Sequence, residues 1–349
     1  MIDIDLLSTV CQTPGAPGYE HRIRKFVIET VTPYVDEVRV DALGNVIATK
    51  KGKSNQKVAI AAHMDEISFV VTHIDEEGFV RFQPLGGFDP KTLTAQRVII
   101  HGKEDIMGVM GSKPIHIMKP EERKKAPEIS DFFIDTGMPK SEVVQYVSPG
   151  DVVTRERELI TMGECVNAKS LDNRISVFIL LEAFRELADQ DLPHDMVGIF
   201  TVQEEVGVRG ALVAAHSVDP QFAIALDTTI AFDTPGAQPH EMVTRLGKGT
   251  AIKVLDGMTI CDYRMVAYMK ERAEAANIAW QPEILPAGGT DTAALQRSGK
   301  NGSIAGAISI PTRHIHQVIE MVHQKDVRLS IDLLKECLLH MDTYDWSHR

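Results

Sequence analysis

The chain has 349 residues, 44% of them hydrophobic and 25% charged, which is typical of a folded protein and excludes extensive disorder. Its formal net charge of -12 would repel phosphate backbones and anionic lipid headgroups, so nucleic acid and membrane surfaces are excluded as expected partners. The four cysteines form no Cys-x-x-Cys pair, and the absence of a basic N-terminal segment or an apolar run of ~18 residues predicts a cytoplasmic protein.

The N-terminal part of the chain predicts one helix and the first strands of a sheet. Apolar residues in 18–32 follow helical spacing, and 37–49 alternates around an Asp-Ala-Leu-Gly turn as a hairpin does. The apolar, β-prone run 57–62 then ends in His63 and Asp65, and the period of a strand points both side chains to the same side. This stretch indicates either the beginning of a metal site or an ordinary buried histidine held by an aspartate.

Residues 68–163 predict a small β-rich insert. Paired apolar runs at 69–82 and 97–110 flank polar turns, as in β-hairpins, and no long helical pattern intervenes. The charge cluster 119–125 indicates a solvated loop or helix face, and a Ser-Pro-Gly-Asp turn precedes another strand at 152–157. The insert would therefore separate two parts of a larger domain.

The last part of the chain alternates strand and helix. Residues 175–187 are apolar nearly all round, as expected for a helix buried against a sheet. Further strands are predicted at 196–202, 222–226 and 303–310, and further helices at 263–276, 292–298 and 327–341. The predicted fold class is α/β: a largely parallel mixed sheet with helices on both faces, plus an inserted small β-rich, barrel-like domain. Residues 1–67 and 164–349 would form the α/β domain, and 68–163 the insert.

Groups that bind metals follow four of the predicted buried strands. They are His63 with Asp65, Glu204 with Glu205, Asp227, and His316. The carboxyl ends of parallel strands meet at one edge of an open sheet, so we expect these side chains to converge. Asp172, where the buried helix begins, would either bridge two cations or cap the helix, and the glutamate pair alone would also fit a solvated surface. Nitrogen and oxygen donors without cysteine favour zinc, cobalt or manganese.

Six motifs carry these residues in order through nearly the whole chain. They are His63-Met-Asp65-Glu66, Ser170-Leu-Asp172-Asn-Arg, Glu204-Glu205-Val-Gly-x-Arg-Gly, Leu226-Asp227-Thr, Gly288-Gly-Thr-Asp291 and Pro311-Thr-Arg-x-Ile-His316. Each motif is weak alone, but together they are specific. The chain resembles the tetrahedral aminopeptidase family, also labelled glutamyl aminopeptidase-like or endoglucanase-M-like.

The resemblance implies two divalent metal ions per subunit, bridged by Asp172. One ion would be held by His63, Asp172 and Asp227, and the other by Asp172, Glu205 and His316. Glu204 matches the general base of the family, and Asp65 matches the carboxylate that orients the first histidine. His314 stands where the family commonly has tyrosine, which leaves open which histidine binds, although the motif aligns His316. The family also implies a homo-oligomer, a hollow dodecamer, with 68–163 as the dimerisation domain.

The activity implied is removal of N-terminal residues from short peptides by water that two metals activate and Glu204 deprotonates. In the glycine-rich motif, Gly289 would let the backbone approach the substrate and Asp291 would help to hold its amine, unless the motif is an ordinary turn and helix cap. An acidic specificity would need a cation in the first pocket, for which Arg209, Arg264 and Arg313 are candidates.

Three other functions are also compatible with parts of the pattern. A different dinuclear metal hydrolase, such as a deacylase or carboxypeptidase, would use the same ligands. A glycosidase would use the paired glutamates, but it needs carboxyl groups about 5 Å or about 6.5–9.5 Å apart and leaves the histidines unexplained. A non-enzymatic scaffold that binds peptides along a strand edge would keep a vestigial metal site.

Overall fold

The computed structural model describes residues 2–348. The chain forms an eleven-stranded mixed sheet with helices against it, and a closed six-stranded barrel. This architecture confirms the predicted fold class. Within residues 2–348, no helix combines the length and the apolar character needed to cross a membrane.

The first elements build one edge of the large sheet and cover it with two helices. They are α1 (Ile4–Gln12), α2 (His21–Val31), β1 (Glu37–Val40), β2 (Val46–Lys50) and β3 (Ser54–His63). The predicted helix, hairpin and strand are confirmed, but α1 was not predicted. Its signals are an aspartate N-cap, in which Asp3 Oδ1 accepts from the Leu6 amide at 3.0 Å, and buried Leu7, Val10 and Cys11 at helical spacing.

The barrel follows β3 directly. Its elements are β4 (Ser68–Ile74), β5 (Val80–Leu85), β6 (Arg97–His101), β7 (Asp105–Ser112), β8 (Phe132–Asp135), α3 (Lys140–Tyr146) and β9 (Val152–Arg155). The two predicted hairpins, β4 with β5 and β6 with β7, are antiparallel pairs, and β9 pairs with both β4 and β6 to close the barrel. Apolar side chains fill the barrel interior. Because the barrel is closed, its six strands leave no exposed sheet edge.

The remaining elements complete the large sheet. They are β10 (Ile160–Met162), β11 (Cys165–Ala168), α4 (Leu171–Leu187), β12 (His194–Thr201), α5 (Arg209–Val218), β13 (Phe222–Ile230), β14 (Thr250–Leu255), α6 (Tyr263–Ala275), β15 (Trp280–Ile284), α7 (Thr292–Arg297), β16 (Ile304–Arg313), β17 (Glu320–His323) and α8 (Gln324–Leu339). The predicted insert ran to residue 163, but the last barrel strand ends at Arg155 and β10 pairs with β11 in the large sheet.

Four neighbouring strands form the parallel centre of this sheet. Their spatial order is β12, β3, β13 and β16, within the longer path β1-β2-β12-β3-β13-β16-β17-β11-β10. Alternate residues of β3 pack on opposite faces: Ile60 joins the core beneath α4, and Ala59 and Ala61 join the core beneath α5. Helices therefore cover both faces, and the carboxyl ends of the four strands lie side by side.

Candidate metal centre

Histidine and carboxylate side chains gather at the carboxyl ends of the four parallel strands. His63 is the last residue of β3, Asp227 lies in β13, Glu204 and Glu205 follow β12, and His316 follows β16. All five line the same cavity. The structure therefore brings together residues that are separated by most of the length of the chain, as the sequence predicted from strand ends.

The first group of possible ligands is His63, Asp172 and Asp227. The Nε2 atom of His63 lies 3.4 Å from Oδ1 of Asp172 and 3.8 Å from Oδ1 of Asp227. One donor atom from each residue falls within 4.8 Å of the others. Such a separation leaves room for a cation between them, because zinc or cobalt binds nitrogen and oxygen at about 2.0–2.2 Å.

The second group consists of Asp172, Glu205 and His316. The Nε2 atom of His316 is 3.4 Å from Oδ2 of Asp172 and 3.5 Å from Oε2 of Glu205. The two oxygens of Asp172 thus face different histidines, as a bridging carboxylate requires. His314 does not line this cavity; it lies on a neighbouring apolar groove.

Asp172 does not cap the helix that it begins. Its backbone, with φ -77° and ψ 105°, is not helical, and its amide donates to Oε2 of Glu320 at 2.9 Å. Neither Asp172 nor Ser170, at the N-cap, makes a side-chain capping bond to α4. The aspartate instead extends both oxygens into the cavity, where it is buried between the two histidines.

Asp65 lies beside the first histidine, where the resemblance places it, and it also holds the backbone of both glutamates, which the sequence did not indicate. Its Oδ1 accepts from the Glu204 amide at 3.0 Å and its Oδ2 accepts from the Glu205 amide at 3.1 Å. Its carbonyl oxygen lies 3.2 Å from Nδ1 of His63, and its Oδ1 lies 3.4 Å from the same atom. One buried aspartate therefore fixes the segment that carries both glutamates and also contacts the first histidine.

The electrostatics of the cavity fit a group of bound cations. Burial, followed by the negative charge of Asp172, raises the pKa of Glu205 to about 8. Burial also raises the pKa of Asp227 to about 8, although His63 opposes the rise. Oε1 of Glu205 has no hydrogen-bond partner among the described residues. Buried carboxylates that repel one another and lack donors are suited to divalent cations.

The cavity has a volume of about 390 Å³ and extends from the carboxylates along a largely apolar wall. Ile230, Leu285 and Ile315 form part of that wall, and Gly289 also lines the cavity. Asp291 does not line the cavity, and its Oδ2 accepts from Thr201 Oγ1 at 2.5 Å. Its contact with the substrate amine stays a prediction. Asp291 occupies the N-cap position of α7, but its side chain makes no capping hydrogen bond there.

Lys253 is a cation of the cavity lining that the sequence did not single out. Its Nζ lies 3.0 Å from both Asp256 Oδ2 and Glu283 Oε1. Burial would lower the pKa of Lys253, but these two carboxylates raise it, so the ammonium remains charged. The three arginines proposed from the sequence, Arg209, Arg264 and Arg313, do not line the cavity.

Comparison with known proteins gives consistent matches along the chain. The family model described as M42 glutamyl aminopeptidase matches residues 44–333. The lysyl aminopeptidase of Pyrococcus furiosus is 34% identical over 99% of this chain and 100% of that protein. The structure of the TET aminopeptidase of Thaumarchaeota archaeon SCGC AB-539-E09 has a TM-score of 0.94 and 36% identity, covering 97% of this chain and 96% of that one. The Pyrococcus horikoshii TET1 peptidase, which can assemble into a tetrahedron or a large octahedral shell, has a TM-score of 0.87 and 32% identity, covering 96% and 99%.

Proposed function

The chain belongs to the M42 glutamyl aminopeptidase family and is an aminopeptidase, and from this premise we propose a dinuclear metal mechanism at the cavity of the large sheet. The observation that carries the proposal is the position of Asp172, whose two carboxylate oxygens face two different histidines. His63 and Asp227 would complete one ligand set, and Glu205 and His316 the other.

The chemistry that two divalent cations supply at such a site is a lowered pKa of water and polarisation of a carbonyl group. Five carboxylates line the cavity, and Asp256 is paired with Lys253. The other four, those of Asp172, Glu204, Glu205 and Asp227, would balance the charge of two such cations. Zinc, cobalt and manganese all suit this donor set, and the metal present in the cell would depend on availability.

Glu204 would act as the general base. Its Oε2 lies 3.8 Å from His63 Nε2 at the edge of the cavity, and burial raises the pKa of this carboxyl well above its ordinary value. At this position an ionised Glu204 would take a proton from the attacking water and pass it to the leaving amine. Asp65 would hold the backbone of Glu204 in place during both transfers.

The substrates would be short peptides whose first side chain enters the apolar part of the cavity. Ile230, Leu285 and Ile315 offer an apolar surface, and the nearby ammonium of Lys253 is neutralised by two carboxylates. The cavity therefore favours an uncharged, apolar first residue over an acidic one. Gly289 would allow the substrate backbone to approach the wall closely.

Assembly and location complete the proposal. The TET1 peptidase of Pyrococcus horikoshii can assemble into a tetrahedron or a large octahedral shell, and one of its structures is a dodecamer. We infer a homo-oligomer, a dodecamer, for this chain, with the barrel as an assembly domain. Cys11, Cys165, Cys261 and Cys337 are free thiols, which supports the reducing cytoplasm as the compartment.

A panel assay tests the activity and its metal dependence together. Metal-depleted protein, reconstituted with zinc, cobalt or manganese, is given aminoacyl-4-nitroanilides with leucyl, lysyl and glutamyl groups. We expect no release without metal, recovery on reconstitution, and the highest kcat/KM for the leucyl substrate. Short peptides, N-acylated amino acids and cellulose are assayed in parallel: release of amino acids only from C-termini or from acylated substrates would indicate another metal hydrolase, and cellulose hydrolysis in chelator would indicate a glycosidase.

The Glu204→Gln variant tests the base. The amide keeps the size of the side chain but cannot accept the proton, so kcat should fall roughly 10²–10⁴-fold while two metals remain bound. Glu241→Gln is the control, because Glu241 is exposed and lies outside the cavity. Gln203→Glu would not serve as a control, because it adds a charge beside the site. Near-normal turnover of Glu204→Gln would remove the base assignment.

A further inference from the structure

The backbone of His316 is held on both sides by buried charged side chains. Its amide donates to Oε1 of Glu320 at 2.8 Å, and its carbonyl oxygen accepts from Nη1 of Arg155 at 3.0 Å. His316 has a φ of +66°, in the left-handed region that residues other than glycine adopt only infrequently. A conformation of this kind persists when the surrounding contacts determine it.

Glu320 connects His316 to Asp172 through hydrogen bonds to both backbones. Its second oxygen, Oε2, accepts from the amide of Asp172 at 2.9 Å. Glu320 lies in β17, is 1% exposed, and has its own carbonyl oxygen fixed by Nδ2 of Asn167 at 3.0 Å. A single carboxylate therefore spans two segments, the start of α4 and the loop after β16, which each supply one residue to the second ligand group.

Arg155 reaches this position from the barrel. It is the last residue of β9, is 2% exposed, and its guanidinium lies over the ring of Phe88 at 5.3 Å from the ring centre. Phe88 in turn stacks on Phe69 inside the barrel, with ring centres 4.4 Å apart. The arginine is thus packed by the barrel and hydrogen-bonded to the loop of the large sheet that carries His316.

We propose that Glu320 and Arg155 are positioning residues for the metal centre, and that the barrel is thereby part of that centre as well as an assembly domain. The inference rests on the proposed function, because it takes Asp172 and His316 as metal ligands. Replacement of a residue that hydrogen-bonds to a metal ligand and orients it typically changes metal affinity 10–100-fold. Arg155→Met would release the carbonyl oxygen of His316, whereas Glu320→Gln would place an amide group against one of two backbone N–H donors.

The experiment measures binding rather than turnover. Metal-depleted full-length protein is titrated with Co²⁺ by calorimetry, and the visible d–d absorption of bound cobalt reports the ligand geometry. We expect the wild type to bind two ions. Arg155→Met should weaken one of the two binding steps 10–100-fold and change the other much less, because His316 is the one proposed ligand to which Arg155 hydrogen-bonds directly. Glu320→Gln should weaken both steps, because Asp172 contributes to both groups.

Two matched variants control for loss of buried polar contacts in general. Arg264→Met removes another buried arginine, whose Nη1 donates to the carbonyl oxygen of Trp346 away from the cavity. Glu182→Gln changes another buried glutamate, in α4, which pairs with Arg185. Both controls should keep the wild-type isotherm and cobalt spectrum.

The outcomes separate this inference from the proposed function. If the wild type binds no cobalt, the proposed function fails. If the wild type binds two ions and Arg155→Met gives the isotherm and spectrum of Arg264→Met, the positioning role of the barrel is wrong even if the variant melts at a lower temperature. Arg155→Lys serves as a second variant: it keeps one donor for the carbonyl oxygen, so it should restore part of the lost affinity, and no restoration would also overturn the proposal.

Discussion

Glu66 offers a quantitative test of the electrostatics beneath the metal centre. The carboxylate is fully buried, and its Oε2 accepts from Nζ of Lys169 at 2.6 Å and from the Ser170 hydroxyl. Its Oε1 lies 3.5 Å from Nη2 of Arg174 and accepts from the Gly15 amide at 3.3 Å. Glu66→Gln keeps the shape but removes the charge, so Lys169 and Arg174 would remain buried without their anion.

The size of the effect follows from the pKa of the carboxyl group. Burial alone would raise the pKa of Glu66, but Lys169 and Arg174 lower it from 4.5 to about 2. A shift of this size corresponds to roughly 3 kcal/mol of stability at neutral pH. Removal of one partner of a buried ion pair typically lowers the free energy of unfolding by about 3–5 kcal/mol, which agrees with this value. We therefore expect Glu66→Gln to lower the free energy of unfolding by about 3 kcal/mol.

Urea unfolding of metal-depleted protein, followed by tryptophan fluorescence, measures this change. Trp280 and Trp346 both pack against the core of the large sheet, so the signal reports that part of the molecule and not the barrel. Glu29→Gln is a matched control, because Glu29 pairs with Lys25 on the exposed surface of α2, in the same part of the molecule that the tryptophans report. The control should leave the midpoint unchanged.

The pH dependence gives the sign of the effect. The folded-state pKa of Glu66 is lowered, so its contribution is complete above the unfolded pKa of 4.5 and is lost as pH falls towards 2. The difference between wild type and Glu66→Gln should shrink from about 3 kcal/mol at pH 7 to about 2 kcal/mol at pH 3.5. A difference below about 1 kcal/mol at pH 7, or one that grows in acid, would refute the reasoning.

Two further predictions concern specificity and thiol reactivity. Lys253→Met leaves Asp256 and Glu283 without their cation. The ratio of kcat/KM for lysyl over leucyl nitroanilide should therefore rise roughly tenfold, or about 1.4 kcal/mol. An unchanged ratio would contradict the role of Lys253. Iodoacetamide under native conditions, read by mass spectrometry, should modify Cys165 before Cys11, because Cys165 is half-buried and Cys11 is fully buried. Burial raises the pKa of both thiols, that of Cys11 to about 12, and equal rates would contradict this order.

The sequence predicted the parts of the site that lie at strand ends. Apolar runs locate β3, β12, β13 and β16, and parallel strands bring their carboxyl ends to one edge, so His63, Asp227 and His316 were expected to meet. The hairpins of the barrel were equally predictable from alternation and turns. Short strands that begin or end at polar residues, such as β10, β11 and β17, carry too few residues for a clear period and were missed.

The supporting residues could not be predicted in the same way. Lys253, Glu320 and Arg155 occur in strands, where a charged residue ordinarily indicates a solvated face. Their burial depends on a neighbour from a distant element: Glu283 for Lys253, the His316 carbonyl for Arg155. No local pattern encodes a partner of this kind, so only the assembled fold reveals these contacts.

Two buried glutamates hold the segment around Asp172, and they do so with different partners. Glu66 binds the hydroxyl of Ser170, which has a φ of +57°, and is balanced by the cation of Lys169 in the same segment. Glu320 binds two backbone amides, and the cation near it, Arg155, belongs to the barrel. Loss of Glu66 should therefore cost mainly stability, because two cations lose their anion. Loss of Glu320 should cost mainly metal affinity, because the ligands lose their orientation while most of the core is unchanged.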